Sequence, residues 1–224
     1  MARRPTYLER LSPAPPSFQQ LAAVWCADQS ALILRLVWVA YDLLHGNYLD
    51  RQALSRQDDR KEETLNYLLA LEIDKNKGEF APFSVTPEVP EQTGRKGGKA
   101  QSPRPDIGLC CYDNPRVVWP LEGKILKDDA DVAAYAAEVI GNFLTGRYAT
   151  FSSEGAMVGY LLSGIPETGF TNIAAAIGCT LLKHKVIQDR PHRVSEHRRA
   201  DLPHPNCPVD FLCHHLLMEI RTSP

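Results

Sequence analysis

The sequence is notable first for what it lacks: a CxxC pair, a glycine-rich nucleotide loop, a long unbroken apolar run, and an excess of charge of either sign. Each absence removes a class of protein. The six cysteines, Cys26, Cys110, Cys111, Cys179, Cys207 and Cys213, are scattered and several sit in apolar runs, which suits reduced buried thiols and not a disulfide scaffold. Without a phosphate-cradling loop the chain is not expected to act as an NTPase by itself. The longest apolar stretch, 31–44, is interrupted by Arg35 and Asp42 and falls short of the roughly 20 residues of a membrane span. The opening MARRPTYLERL has no apolar core of a secretory signal, so a cytoplasmic location with no membrane association is the expectation. With 25 Lys and Arg against 27 Asp and Glu, the net charge of −2 carries no global nucleic-acid signature. Any basic surface must be local.

What is present is an ordinary globular composition, 44% hydrophobic and 23% charged over 224 residues, enough for one domain with a proper core. An N-terminal arm and helix occupy 1–50. Residues 51–224 are expected to form the main unit, with a basic C-terminal extension, and the whole is expected to pack as one body.

The segment that organises the chain is RPDIGLCCYDNPRVVWPLEGKILK, 104–127. Asp113-Asn114-Pro115-Arg116 is a turn signal between two apolar runs, which predicts a β-hairpin. Antiparallel pairing then brings Asp106 to within about one residue of facing Glu122. Alternation puts Glu122 and Lys124 on one face and Val117, Trp119, Leu121 and Ile125 on a core layer with Ile107, Leu109 and Cys111. Pro120 predicts a bulge or an unpaired edge just before Glu122. Two converged carboxylates call for a cation between them, and magnesium favours carboxylates plus retained water. A lysine two residues on can position an attacking water or neutralise charge on a phosphate.

Pro105-Asp106 followed by Glu122-Gly123-Lys124 on the next strand resembles the PD-(D/E)XK motif of the restriction-endonuclease-like nucleases. The resemblance implies an α/β fold with a restriction-endonuclease-like core: a small mixed β-sheet flanked by helices, here with an extra N-terminal helix. It further implies a metal-dependent endonuclease acting on DNA. Asp106, Glu122 and the carbonyl of Gly123 would hold Mg2+ or Mn2+, and Lys124 would position the attacking water. The helix before the hairpin often carries a glutamate facing the metal; Glu63 is the first choice and Glu62 the second. Compact nucleases of this kind are often bacterial restriction, repair or phage-defence components working beside a separate motor or sensor. A catalytically inactive subunit that binds DNA or assembles a complex is the alternative.

Around the hairpin, helices are predicted from Ser17 to about His45, from about 59 to 76, from 129 to 145 and from Gly169 to Lys185. Buried strands are predicted at Ala156–Leu162 and Val209–Ile220. The helix at 129–145 is expected to cover the core face of the hairpin. The helix at 31–44, apolar nearly all round, is either core or a homo-oligomer interface. Glu88 is a further acidic candidate. Candidate nucleic-acid contacts are Arg95, Lys96, Lys99 and Arg104 on the loop before Asp106, Lys127 and Arg147 beyond the hairpin, and Lys183, Lys185, Arg193 and Arg198 in the basic stretch 183–199. That stretch reads equally as a solvated loop. His197 or His215 could serve as a general base. His204, Cys207, Cys213, His214 and His215 do not follow a usual structural-zinc spacing.

Overall fold

The computed structural model describes residues 18–47, 61–90, 103–127 and 129–220. It is an α/β fold: helices α1 (Phe18–Asn47) and α2 (Lys61–Asn76), strands β1 (Phe83–Pro87), β2 (Ile107–Cys111) and β3 (Val118–Leu126), helix α3 (Asp129–Glu138) running into a π-helical turn (Val139–Phe143), β4 (Glu154–Leu161), α4 (Pro166–Ile177), β5 (Leu182–Lys183), β6 (His192–Arg198) and β7 (Asp210–Glu219). The strands make one mixed seven-stranded sheet in the order β1-β2-β3-β4-β7-β6-β5, with β3-β4 and β4-β7 parallel. The sheet is larger than the small one expected. It includes β5, in a segment expected to be helical, and β6, a strand that the charged sequence HRVSEHR disguises. No helix among the described residues is long and apolar enough to cross a membrane.

The hairpin turn forms as its residues dictate. Asn114 Oδ1 accepts Arg116 N–H at 3.1 Å, and Asn114 O accepts Val117 N–H at 2.9 Å. The β2-β3 register is unbroken, Ile107 opposite Leu121 and Gly108 opposite Pro120, so the bulge expected at Pro120 is not there. Pairing with β4 begins at Leu121, which leaves the missing N–H of Pro120 without a β4 partner to disappoint.

Two apolar layers sandwich the sheet. On one face Ile107, Leu109, Trp119, Leu121 and Ile125 pack with Ile33, Leu34 and Val37 of α1 and Leu65, Leu69 and Ile73 of α2. On the other, Leu126, Met157, Leu161, Phe211 and Leu217 pack with Tyr135, Val139 and Phe143 and with Phe170 and Ile173 of α4. The core face of the hairpin is therefore covered by α1 and α2, not by the 129–145 helix as expected. That helix covers the opposite face, where Leu126 is the hairpin residue it meets. The 31–44 segment is largely core, with Leu32 and Val39 as its exposed large apolar residues. Helix α4 also ends well before Lys185: Gly178 takes the left-handed conformation, φ 75°, and its N–H closes on Ala174 O, a C-terminal stop that β-branched or bulky residues rarely adopt.

Candidate functional site

The site arises from unequal strand lengths. β2 begins at Ile107, whereas β3 continues past Leu121 to Leu126 with β4 on one side only. The free edge of β3 still presents backbone amides, and two carboxylates accept them. Gly123 N–H donates to Asp106 Oδ2 at 2.9 Å, and Ile125 N–H donates to Glu62 Oε2 at 3.0 Å. Continuing the register places Asp106 opposite Glu122, and Asp106 N–H donates to Glu122 Oε2 at 3.1 Å. Lys124 Nζ sits 2.7 Å from Glu62 Oε1. Asp106, Glu122, Lys124 and Glu62 thus gather where β2 gives out.

Glu122 is only 5% exposed and lies against Asp106. Burial, then repulsion from Asp106, pushes its carboxyl far above the usual carboxylate range. Burial likewise raises Asp106, against the opposing hydrogen bond from Gly123 N–H. Lys124 feels burial as a downward push, but the hydrogen bond and charge of Glu62 outweigh it and hold the ammonium protonated. Two repelling carboxyls, Glu122 buried and Asp106 half-buried, with a carbonyl beside them, form a hard oxygen donor set that a divalent cation would relieve. Gly123 contributes that carbonyl. A strand residue's C=O points to the same side as its N–H, so it opens on the edge where its amide meets Asp106.

The acidic position on α2 belongs to Glu62, the second choice of the sequence reading; Glu63, the first, is exposed to solvent. Glu88 is exposed, with φ 48°. Of the basic candidates, Arg104 is exposed beside Asp106, and its carbonyl accepts Tyr148 O–H at 3.0 Å. Lys127, Arg147, Lys183, Lys185 and Arg198 are exposed. Arg193 is already engaged: it pairs with Glu167 at 2.7 Å and lies 4.9 Å from the Phe170 ring centroid. Arg95, Lys96 and Lys99 lie outside the described residues. Elsewhere in the basic stretch, Arg190 pairs with Asp42 at 2.8 Å, and Arg199 is buried against the Phe211 ring while holding the carbonyl of Ala149 at 3.0 Å. Much of this segment's charge is structural, so it is neither a simple solvated loop nor a continuous cationic face.

The histidines form internal chains. His215, fully buried, contacts Ser195 Oγ through Nε2 at 2.8 Å and Tyr135 O–H through Nδ1 at 3.0 Å, and His197 Nε2 meets the same Ser195 Oγ at 2.7 Å. His215 shares a row with Glu122 through Met157, two strands and therefore about 10 Å away, beyond hydrogen-bond reach of the carboxylates. His214 points to the opposite face. Nitrogens of His184, His192 and His214 lie within 4.8 Å of one another, close enough to surround a metal ion. The hydrogen-bond polarity of His184 argues against its serving as a ligand. His184 Nδ1 accepts Val186 and Ile187 N–H, at 3.2 and 2.9 Å, which places the ring proton on Nε2. His204, Cys207 and Cys213 stand apart from that group: His204 packs edge-on against Phe151, Cys207 contacts Arg199, and Cys213 is fully buried on the His215 side of β7.

Two residues of the site escaped the sequence reading. Glu138, at the end of α3, is near enough for its charge to raise both Asp106 and Glu122. It sits where the helix passes into the π turn, and such turns are frequent at functional sites. Asn66 donates to Asp106 Oδ2 at 2.8 Å and accepts Tyr160 O–H at 2.8 Å. A polar residue inside the buried stripe of Leu65, Leu69 and Ile73 was the available signal for it. The chain matches no family model, no curated protein and no solved structure.

Proposed function

We propose that the protein is a metal-dependent endonuclease that hydrolyses DNA phosphodiester bonds, with a PD-(D/E)XK-type site. The observation that carries this reading is the convergence of Asp106, Glu122 and the Glu62-tethered Lys124 at the open edge of β3, with Gly123's carbonyl between them. Magnesium or manganese, when bound, would supply a water activated at neutral pH and neutralise charge on the scissile phosphate. Asp106, Glu122 and the Gly123 carbonyl are the groups that would hold it. Lys124 keeps its proton and so can hydrogen-bond the attacking water or a phosphate oxygen as negative charge builds. Glu62 fixes the ammonium on the same edge as the carboxylates. Arg104 and Arg147 are exposed cations that would meet flanking phosphates, with exposed Lys127 a further candidate contact.

A nuclease component of a bacterial restriction, repair or phage-defence system, acting beside a motor or sensor protein, is the setting this chemistry fits. An inactive subunit of the same fold would bind DNA with no need of Lys124. The deciding experiment is Lys124→Ala: cleavage of DNA lost, with Mn2+ binding and the melting temperature retained. Full cleavage by that variant would overturn the assignment.

A further inference from the structure

Asp106 is held unusually for a carboxylate that would meet a cation. Oδ2 receives two donors, Gly123 N–H at 2.9 Å and Asn66 Nδ2–H at 2.8 Å, which use both of its in-plane lone pairs. Only Oδ1 remains for an ion. Asn66 is itself fixed: it is 5% exposed, and its Oδ1 takes the hydroxyl of Tyr160, a fully buried residue of β4, at 2.8 Å. The amide can occupy that place only because position 123 is glycine. A Cβ there would stand 2.0 Å from Asn66 Oδ1 and 2.8 Å from its Cγ. Gly123 therefore has a steric duty besides offering its carbonyl.

We propose that Asn66, oriented by Tyr160 and admitted by Gly123, is a specificity-determining positioning residue: it restricts Asp106 to monodentate ligation and so selects Mg2+ and Mn2+ over Ca2+. The inference rests on the reading of Asp106 as a cation ligand. Its physical basis is the difference between the ions. Magnesium demands near-octahedral single-oxygen ligands, whereas calcium accepts more oxygens and takes carboxylates bidentately. Removing the Asn66 donor frees one lone pair of Oδ2 while Gly123 N–H keeps the other, so Asp106 can then offer both oxygens to one ion, which favours the larger one. Outer-shell partners of this kind alter metal affinity by about 10–100-fold when removed.

The test is Mn2+ titration of the EDTA-stripped full chain by electron paramagnetic resonance, with Mg2+ and Ca2+ as competitors. In Asn66→Ala the ratio of Ca2+ to Mg2+ affinity should rise about tenfold or more, chiefly through weaker Mg2+ binding. Tyr160→Phe keeps the ring and removes only the hydroxyl, so it should shift the ratio in the same direction by less. It also serves if Asn66→Ala fails to fold. Gly123→Ala should reproduce Asn66→Ala, and combining the two should add little, because the glycine acts through the amide. An unchanged ratio in a folded Asn66→Ala or Tyr160→Phe, with Mn2+ binding still lost in Asp106→Ala, overturns the role of Asn66 alone. Mn2+ binding that survives Asp106→Ala overturns the cation reading and this inference with it.

Discussion

Replacing Glu122 by glutamine should stabilise the metal-free protein and destabilise the metal-loaded one. Glu122 is 5% exposed, its neighbour Asp106 is also acidic, and burial with that repulsion raises its pKa to about 9 from an ordinary 4.5. The sign follows from proton counting: a carboxyl raised on folding binds more protons in the folded state, so stability falls as pH rises from the ordinary carboxylate value towards the raised one. At about pH 7.5 the folded carboxyl must be held protonated some three units above its unfolded value, at about 1.4 kcal/mol per unit, for an upper limit of about 4 kcal/mol. Glutamine is neutral at every pH and its amide oxygen can still accept Asp106 N–H, so a gain of about 1–4 kcal/mol is expected in EDTA. The gain should vanish at about pH 4, where the unfolded carboxyl also takes up its proton. Saturating Mn2+ should reverse the order, since only the carboxylate can ligate strongly. Urea unfolding of both proteins in EDTA and in Mn2+, at several pH values, reads all of this. A glutamine variant that is less stable in EDTA at pH 7.5 would refute the reasoning and make Glu122 a structural acceptor.

Further perturbations separate site from scaffold. Glu62→Gln should cut cleavage steeply by freeing Lys124 from its 2.7 Å partner, whereas the exposed Glu63→Gln should stay within about 0.5 kcal/mol of wild type in stability and cleave normally; a kinetic comparison of the two checks which glutamate belongs to the site. Arg199→Met should cost about 3 kcal/mol or more in chemical denaturation, because the guanidinium is 3% exposed, stacks 3.6 Å from the Phe211 ring centroid and holds the carbonyls of Tyr148 and Ala149. A loss under 1 kcal/mol would show those bonds to be dispensable.

The hairpin and its acidic pair were legible because every local signal agreed: the Asp113–Arg116 turn, the alternation from Val117 to Ile125, and a register that places Asp106 opposite Glu122. Glu62 and Glu63 were not separable by sequence, since both sit in the first turn of α2, where acids favour the helix dipole in any case. β6 was hidden because its polar residues are satisfied by the tertiary fold, Arg193 by Glu167 and Ser195 by His215. Glu138 was missed because a lone acid on a helix carries no local signal, and its closeness to Asp106 and Glu122 is set only by the packing of α3 on the sheet. Asn66 reads as a flaw in an apolar stripe until Asp106 and Tyr160 are placed on either side of it.

The most direct measurement is incubation of the purified protein with supercoiled plasmid and with single-stranded DNA, in Mg2+, in Mn2+ and in EDTA, beside Asp106→Ala. Cation-dependent cleavage by the wild type that is absent in EDTA and in the variant is the predicted result. Cleavage that persists in Asp106→Ala, or that proceeds in EDTA, would contradict the site described here.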